Sequence, residues 1–210
     1  YVNLMRDIHK EINRFYKLAT YNKKSILSKI ENEEFFNSKE KIAESFFDRI
    51  SSGSSRIVYK TPDNSVIKIA KNEKGIEQNK AESNKKIKSA FINPVTDHAK
   101  NFSWIESKFC KKMTEKRFEE LTNLNFKDFG KAIEYALKDV SDSDISKPKN
   151  FSKIEKEKIF KELVAAGNDF KLMPGDMSRI SSYGESDSLP VLIDSGLTKK
   201  IFEKYYDDED

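Results

Sequence analysis

Four ionisable residues in this 210-residue chain sit where the transfer of a phosphoryl group would need them. Lys68 lies inside the run 66–70 (VIKIA), where a lone lysine among β-branched residues is costly to bury unless its ammonium finds a partner. Glu82 follows on a helical stretch and can supply that partner, with Glu73 and Glu77 on the same stretch as alternatives. Asp176 comes after Pro174-Gly175, in a loop that follows a helix. Asp194 ends the apolar run VLI ahead of Ser195-Gly196, so its carboxylate would project from a strand end into a cleft. Taken singly, each has a plainer account: an edge-strand lysine pointing to water, a turn or cap aspartate, a strand-end turn. Together and in this order they suit a reaction that rests on positioning and electrostatics, with lysine and carboxylates arranged about phosphate charge.

The elements that position them follow from periodicity. Met5, Ile8, Ile12, Phe15 and Tyr16 recur at helical spacing. Asn37 with Glu40 reads as a capping box, opening a helix whose Ile42, Phe46, Phe47 and Ile50 form one face. Residues 1–50 are therefore expected to be a helical extension packed on a neighbouring domain or a partner. The stretch 51–55 (SSGSS) is polar and flexible, centred on Gly53. RIVYK and VIKIA, separated by TPDNS, read as a β-hairpin. A charged helix is expected over 73–90, and a strand over 102–109 with Phe102 and Trp104 on one face and Ile105 and Phe109 on the other. From residue 114 the pattern is helical, with a stripe of Phe126, Phe129, Ile133, Leu137 and Val140, then the loop 141–150. A further helix carries Ile154, Phe160, Leu163 and Val164 and stops at Gly167 as its C′ residue. After the LPVLIDSG run, a short helix leads to Tyr206 and the acidic end DDED. The expected organisation is α+β: a helical extension (1–50), a β-rich lobe (51–113) and a mostly helical lobe (114–210).

Composition narrows the class. Fifteen Phe, eight Tyr and twenty Ile suffice for a core, so global disorder is not expected. Lys+Arg 39 against Asp+Glu 35 leaves a net charge of +4, which excludes a polybasic binder resting on net charge. The Lys-rich helices interleave glutamates and lack an aromatic-basic module, so nucleic acid is not an expected partner. The single cysteine, Cys110, excludes a disulfide scaffold, and with only His9 and His98 there is no Cys/His zinc site; all three read as packing or surface residues. No run approaches a membrane span and no signal peptide opens the chain, so a soluble, intracellular protein is expected. Thirty-three Lys against six Arg, with abundant Asn and Ile, suggest AT-rich coding in a low-GC microbe or its phage. A chain that starts at Tyr1 is expected to be trimmed, processed or excised.

With these residues in this order, the sequence from 51 to 206 resembles the protein-kinase-like fold. The segments KNEKGIEQNKAE (71–82) and VLIDSGLTKKIFEKYY are similar to small kinase-like proteins of bacteriophages. The resemblance implies a two-lobed fold with a small β-rich N-lobe and a truncated helical C-lobe, preceded by the helical extension. It also implies roles. Gly53 marks the phosphate-covering turn, Lys68 and Glu82 complete the nucleotide site, Asp176 is the catalytic-loop aspartate, Arg179 offsets phosphate charge, and Asp194 carries Mg²⁺. Ser181 stands where the fold's second metal ligand is an Asn, and Glu185 or Asp187 could compensate. Other departures are one glycine where kinases have three, no His-Arg before Asp176, and fourteen residues after Gly196, too few for an activation segment and peptide-docking helices. Two functions follow from the resemblance. One is a minimal phosphotransferase using ATP and Mg²⁺ on an unknown acceptor. The other is a degenerate pseudokinase, a virion component or host-directed binding protein, meeting a protein partner through the N-terminal helices. Host cytoplasm or virion would be its location.

Overall fold

The computed structural model describes residues 5, 12, 21–83, 89–138 and 145–206. The expectations for Ile8, His9, Phe15, Tyr16, Val140 and the acidic end 207–210 lie outside the described residues. The chain divides into two compact units, 1–76 with 96–107 and 77–95 with 108–210.

In the first unit, α1 (Lys23–Asn32) is capped by Asn22, whose side chain accepts from the Ser25 amide. Helix α2 (Phe36–Phe46) starts without the expected capping box. Its N-cap is Phe35, and Glu33 Oε1 instead accepts from the amides of Glu34 and Phe35. Nor does α2 reach Ile50. The chain becomes extended at Phe47 and enters β1 (Asp48–Ser52), a strand exposed along its whole length. With one apolar residue among five, β1 has none of the alternation that marks a half-buried strand, so periodicity misses it. Its pairing with β2 (Arg56–Lys60) slips at Ile50, between Arg49 and Ser51.

The hairpin of β2 and β3 (Ser65–Ala70) forms as expected, with Arg56 opposite Ala70 and Val58 opposite Lys68. Its turn places Asn64 at φ 63°, a left-handed position that asparagine tolerates. Strands β4 (Val95–His98) and β5 (Trp104–Lys108) complete a five-stranded antiparallel sheet in the order β1-β2-β3-β5-β4. β4 escaped the sequence reading because VTDH is mostly exposed. Alternation splits the sheet into two faces. Ile57, Tyr59, Ile67, Ile69 and Trp104 form one core with Ile26, Leu27, Ile30, Ala43 and Phe47, so the N-terminal helices cover that face. Val66, Lys68, Ala70, Ile105 and Ser107 lie on the other. Trp104 Nε1 donates to Leu27 O at 3.2 Å, and Lys23 Nζ bridges Asp63 Oδ2 (2.5 Å) and the buried Glu106 (2.6 Å). Helix α3 (Glu73–Ser83) passes from the first unit into the second, where Glu82 belongs.

The second unit packs α4 (Glu115–Thr122), α5 (Phe126–Leu137), α6 (Phe151–Ile154) and α7 (Lys158–Phe170) around Phe118, Phe129, Ile133, Phe160 and Leu163. Thr114 caps α4 by accepting from the Arg117 amide. The expected stop at Gly167 is corrected: Gly167 lies inside α7, against the side chain of Leu137, and the left-handed residue that ends the helix is Lys171 at φ 52°. After α8 (Pro174–Met177), a 3₁₀ turn (Ile180–Ser182) leads to a small antiparallel sheet. It comprises β6 (Lys111–Lys112), β7 (Tyr183–Ser186) and β8 (Leu189–Leu192), in that order. The β7–β8 turn has Asp187 and Ser188 both left-handed, at φ 51° and 60°. That is the geometry of a type I′ turn without its usual glycine, which is why the hairpin is hard to see in the sequence. Helix α9 (Lys199–Tyr205), capped by Thr198, closes the described chain.

Candidate functional site

Gly53 sits in the β1–β2 turn of the first unit. The turn is anchored by three hydrogen bonds: the carbonyls of Gly53, Ser54 and Ser55 accept from Lys71 Nζ (3.0 Å), Asn72 Nδ2 (3.1 Å) and the Lys71 amide (2.8 Å). Within a trans peptide the C=O and the following N–H point in opposite directions. The amides of Ser54 and Ser55 are therefore turned away from Lys71 and Asn72. A Cβ at Gly53 would meet only Arg56 O at 3.9 Å, and its φ is not left-handed, so the backbone does not demand glycine here.

Lys68 lies mid-strand on β3, between β2 and β5, and is only 7% exposed. A solvent-pointing edge lysine is thereby set aside. In the second unit Glu82 is buried near the end of α3, where it lines a small depression with Ile92, Pro94 and Ser195. The residue after Asp194 and the helix glutamate thus meet at one place.

Asp176 stands on the single turn of α8, not in a loop, with Pro174 in the helix's first turn. Its Oδ1 lies 3.1 Å from Arg179 Nη1. Asp194 is exposed and lies two residues beyond β8, next to the buried Ser195. Backbone hydrogen bonds lace the two aspartate segments together. Met173 donates to Leu197 O at 3.1 Å, Lys199 to Lys171 O at 2.8 Å, and Ile193 to Ser182 O at 2.8 Å. On its other side, Leu192 of β8 donates to Phe91 O and accepts from the Asn93 amide. The carboxylates of Asp176 and Asp194 therefore ride on adjacent, mutually bonded segments. Tyr183, fully buried, donates its hydroxyl to Met177 O at 2.7 Å, and that burial pushes the phenol well above its ordinary range.

The remaining residues separate. Ser181 is exposed in the middle of the 3₁₀ turn. Glu185 is held by Arg117 through two bonds, from Nε at 2.9 Å and Nη2 at 2.7 Å, which keep its carboxyl below the usual range. Asp187 pairs with Lys108 at 2.7 Å, and this bond lowers it likewise. Both carboxylates are thus paired with cations of the protein. Periodicity gave no sign of the Arg117–Glu185 pair, because its partners are 68 residues apart. Among the described residues there is no group of three or more His, Cys, Asp or Glu side chains suited to a metal ion. His98 is exposed and stacks on Phe102 with ring centroids 5.0 Å apart, and Cys110 is buried.

An antiparallel sheet in the order 1-2-3-5-4 with a helix after its third strand, then a mostly helical unit whose small sheet leads into the acidic segments, makes an α+β fold, and this order of elements is consistent with the kinase-like arrangement expected from the sequence. No protein-family model matches the chain, and no curated protein matches it. Among solved structures, the streptomycin–ATP–APH(2″)-IIa ternary complex is similar over 76% of this chain and 70% of that chain, with 14% identity and a TM-score of 0.34. A likeness that distant bears on neither substrate nor reaction. No helix among the described residues is long and apolar enough to cross a membrane.

Proposed function

We propose that this chain is a minimal kinase-like phosphotransferase that moves a phosphoryl group from ATP to an acceptor hydroxyl. The observation that carries this reading is the pair of aspartates, Asp176 and Asp194, on two segments bonded to each other through the backbone. Lys68 would meet the α/β-phosphates, the role that the kinase resemblance gives a lysine in the third strand. The amide of the exposed Ser54 at the Gly53 turn, directed away from Lys71, would face phosphate oxygens. Magnesium at phosphoryl-transfer sites is held by one or two carboxylates, water and the phosphates themselves, and Asp194 beside the Asp176 segment meets that need. The ion would neutralise charge on the transferred group. Asp176 orients the acceptor hydroxyl and takes its proton, while Arg179, already paired with Asp176, is placed to offset phosphate charge. The phage relationship implied by the sequence would place the protein in the host cytoplasm or the virion.

A second reading is favoured by a specific observation. Glu185 and Asp187 pair with Arg117 and Lys108, and Ser181 is an exposed hydroxyl, a weaker ligand for a hard cation than the amide it would replace. A chain of this kind would bind a partner without turnover, and the N-terminal helices would offer the surface. Thermal shift with ATP and Mg²⁺ separates the readings. Nucleotide at a hundred times its dissociation constant should stabilise the protein by about 2.7 kcal/mol. No shift at millimolar ATP overturns the phosphotransferase and leaves the binding protein.

A further inference from the structure

The segment bearing Asp176 is held by α5 through a contact that neither the sequence pattern nor the proposed chemistry uses. Ser178, two residues beyond Asp176, has its Oγ 2.6 Å from Glu134 Oε1 and 3.1 Å from Gly175 O. A hydroxyl has one proton, and the shorter, charge-assisted bond to the carboxylate takes it. Glu134 lies one helical turn beyond Gly130, on the same face of α5. At Gly130 the two backbones come so close that a Cβ would stand 3.0 Å from Ser178 O and 3.3 Å from Ser178 Cβ. The small residue sets the approach and the glutamate fixes the bond. From the other side, Tyr183 fastens the preceding residue, Met177, through its carbonyl. Asp176 is thus pinned by contacts at both of the residues that follow it.

We infer that Glu134 is a positioning residue. Through Ser178 it fixes the short helix that presents Asp176, and it touches no reactant. This inference rests on the proposed role of Asp176, and it is tested first by a measurement that does not need that role. Amide hydrogen exchange across 176–179 should accelerate tenfold or more in Glu134→Ala and in Ser178→Ala. The double variant should exchange no faster than the faster single one, because the two changes remove one bond. Glu134→Gln, whose amide oxygen can still accept from Ser178, should stay within threefold of wild type. Amides of α7 should be unaffected. In the phosphotransfer assay the two alanine variants should lose kcat tenfold or more with KM for ATP within twofold, and Glu134→Gln should restore most of it.

Unchanged exchange across 176–179 overturns the inference. So does equal acceleration in α7, which would mean general loosening, or accelerated exchange at wild-type kcat. If exchange responds as expected and the wild-type protein transfers no phosphate, the clamp stands and the proposed function falls.

Discussion

Arg179 Nη1 lies 3.1 Å from Asp176 Oδ1, three residues along the chain, and the arginine side chain is 68% exposed. An ion pair that open to water contributes little to stability, about 0.5 kcal/mol. Arg179→Ala should therefore leave urea denaturation nearly unchanged while weakening ATP binding, measured by calorimetry. A large loss of stability, or full nucleotide affinity, would remove Arg179 from the proposed site.

Asp194 gives the sharper separation of folding from chemistry. It is exposed beyond the end of β8, so Asp194→Ala should keep the wild-type circular dichroism spectrum. Removing a carboxylate that neutralises a metal–phosphate complex costs several kcal/mol in the transition state, so ATP-dependent transfer should fall by roughly a hundredfold or more. Transfer at the wild-type rate would rule out the mechanism.

The Lys23–Asp63 contact makes a pH prediction. Burial alone would raise Asp63, but hydrogen bonds from Lys23, Thr61 and Tyr21 prevail and bring its pKa from 3.8 down to about 2. A carboxyl depressed in the folded state adds stability above its unfolded pKa and loses it as the pH falls through the folded one. The window is thus from about pH 4 down to about pH 2. Asp63 is 43% exposed, so solvent screening holds the effect to about 1 kcal/mol. Urea denaturation of wild type and Asp63→Asn should differ at pH 5 and converge near pH 2; a constant difference would show that the pair is not the cause.

Phe47 is buried at 2% among sheet and helix residues of the first unit's core. Phe47→Ala should cost about 3 kcal/mol, and Trp104 fluorescence should follow the same unfolding transition. By the same geometry, Ile42→Glu and Phe46→Glu would act on the fold, since both side chains pack against that core. A variant at either position that lost partner binding at full stability would show a surface role beyond this packing.

What the sequence made legible was what local pattern encodes. The hairpin of β2 and β3 carries β-branched runs and a turn with Pro62, Asp63 and Asn64, and it forms as expected. The Phe126, Phe129 and Ile133 stripe is buried as its spacing requires. The failures share a cause in long-range contact. Gly167 read as a stop because glycine ends helices, yet Leu137 packs on it inside one. β1 and β4 belong to the sheet by pairing, not by burial, so their exposed residues carry no periodic signal. At the site, order along the chain suggested Asp176 and Asp194, but the backbone bonds that make their segments neighbours join residues with no pattern in common. The pairs that Glu185 and Asp187 make carry no local signal either, because Arg117 and Lys108 come from far upstream.

The slip at Ile50 sets a limit on growth. Strand β1 is the last rung on its side of the sheet, and Ile50 is 48% exposed there, the kind of border onto which another chain could add a strand. An incoming strand would need to follow a ladder that loses step after Arg49, and to lie beside Asp48 and an arginine already tied to Glu40 and Glu44. The irregular border therefore works as a terminus, and concentrated solutions of the protein should resist head-on stacking of sheets into fibres.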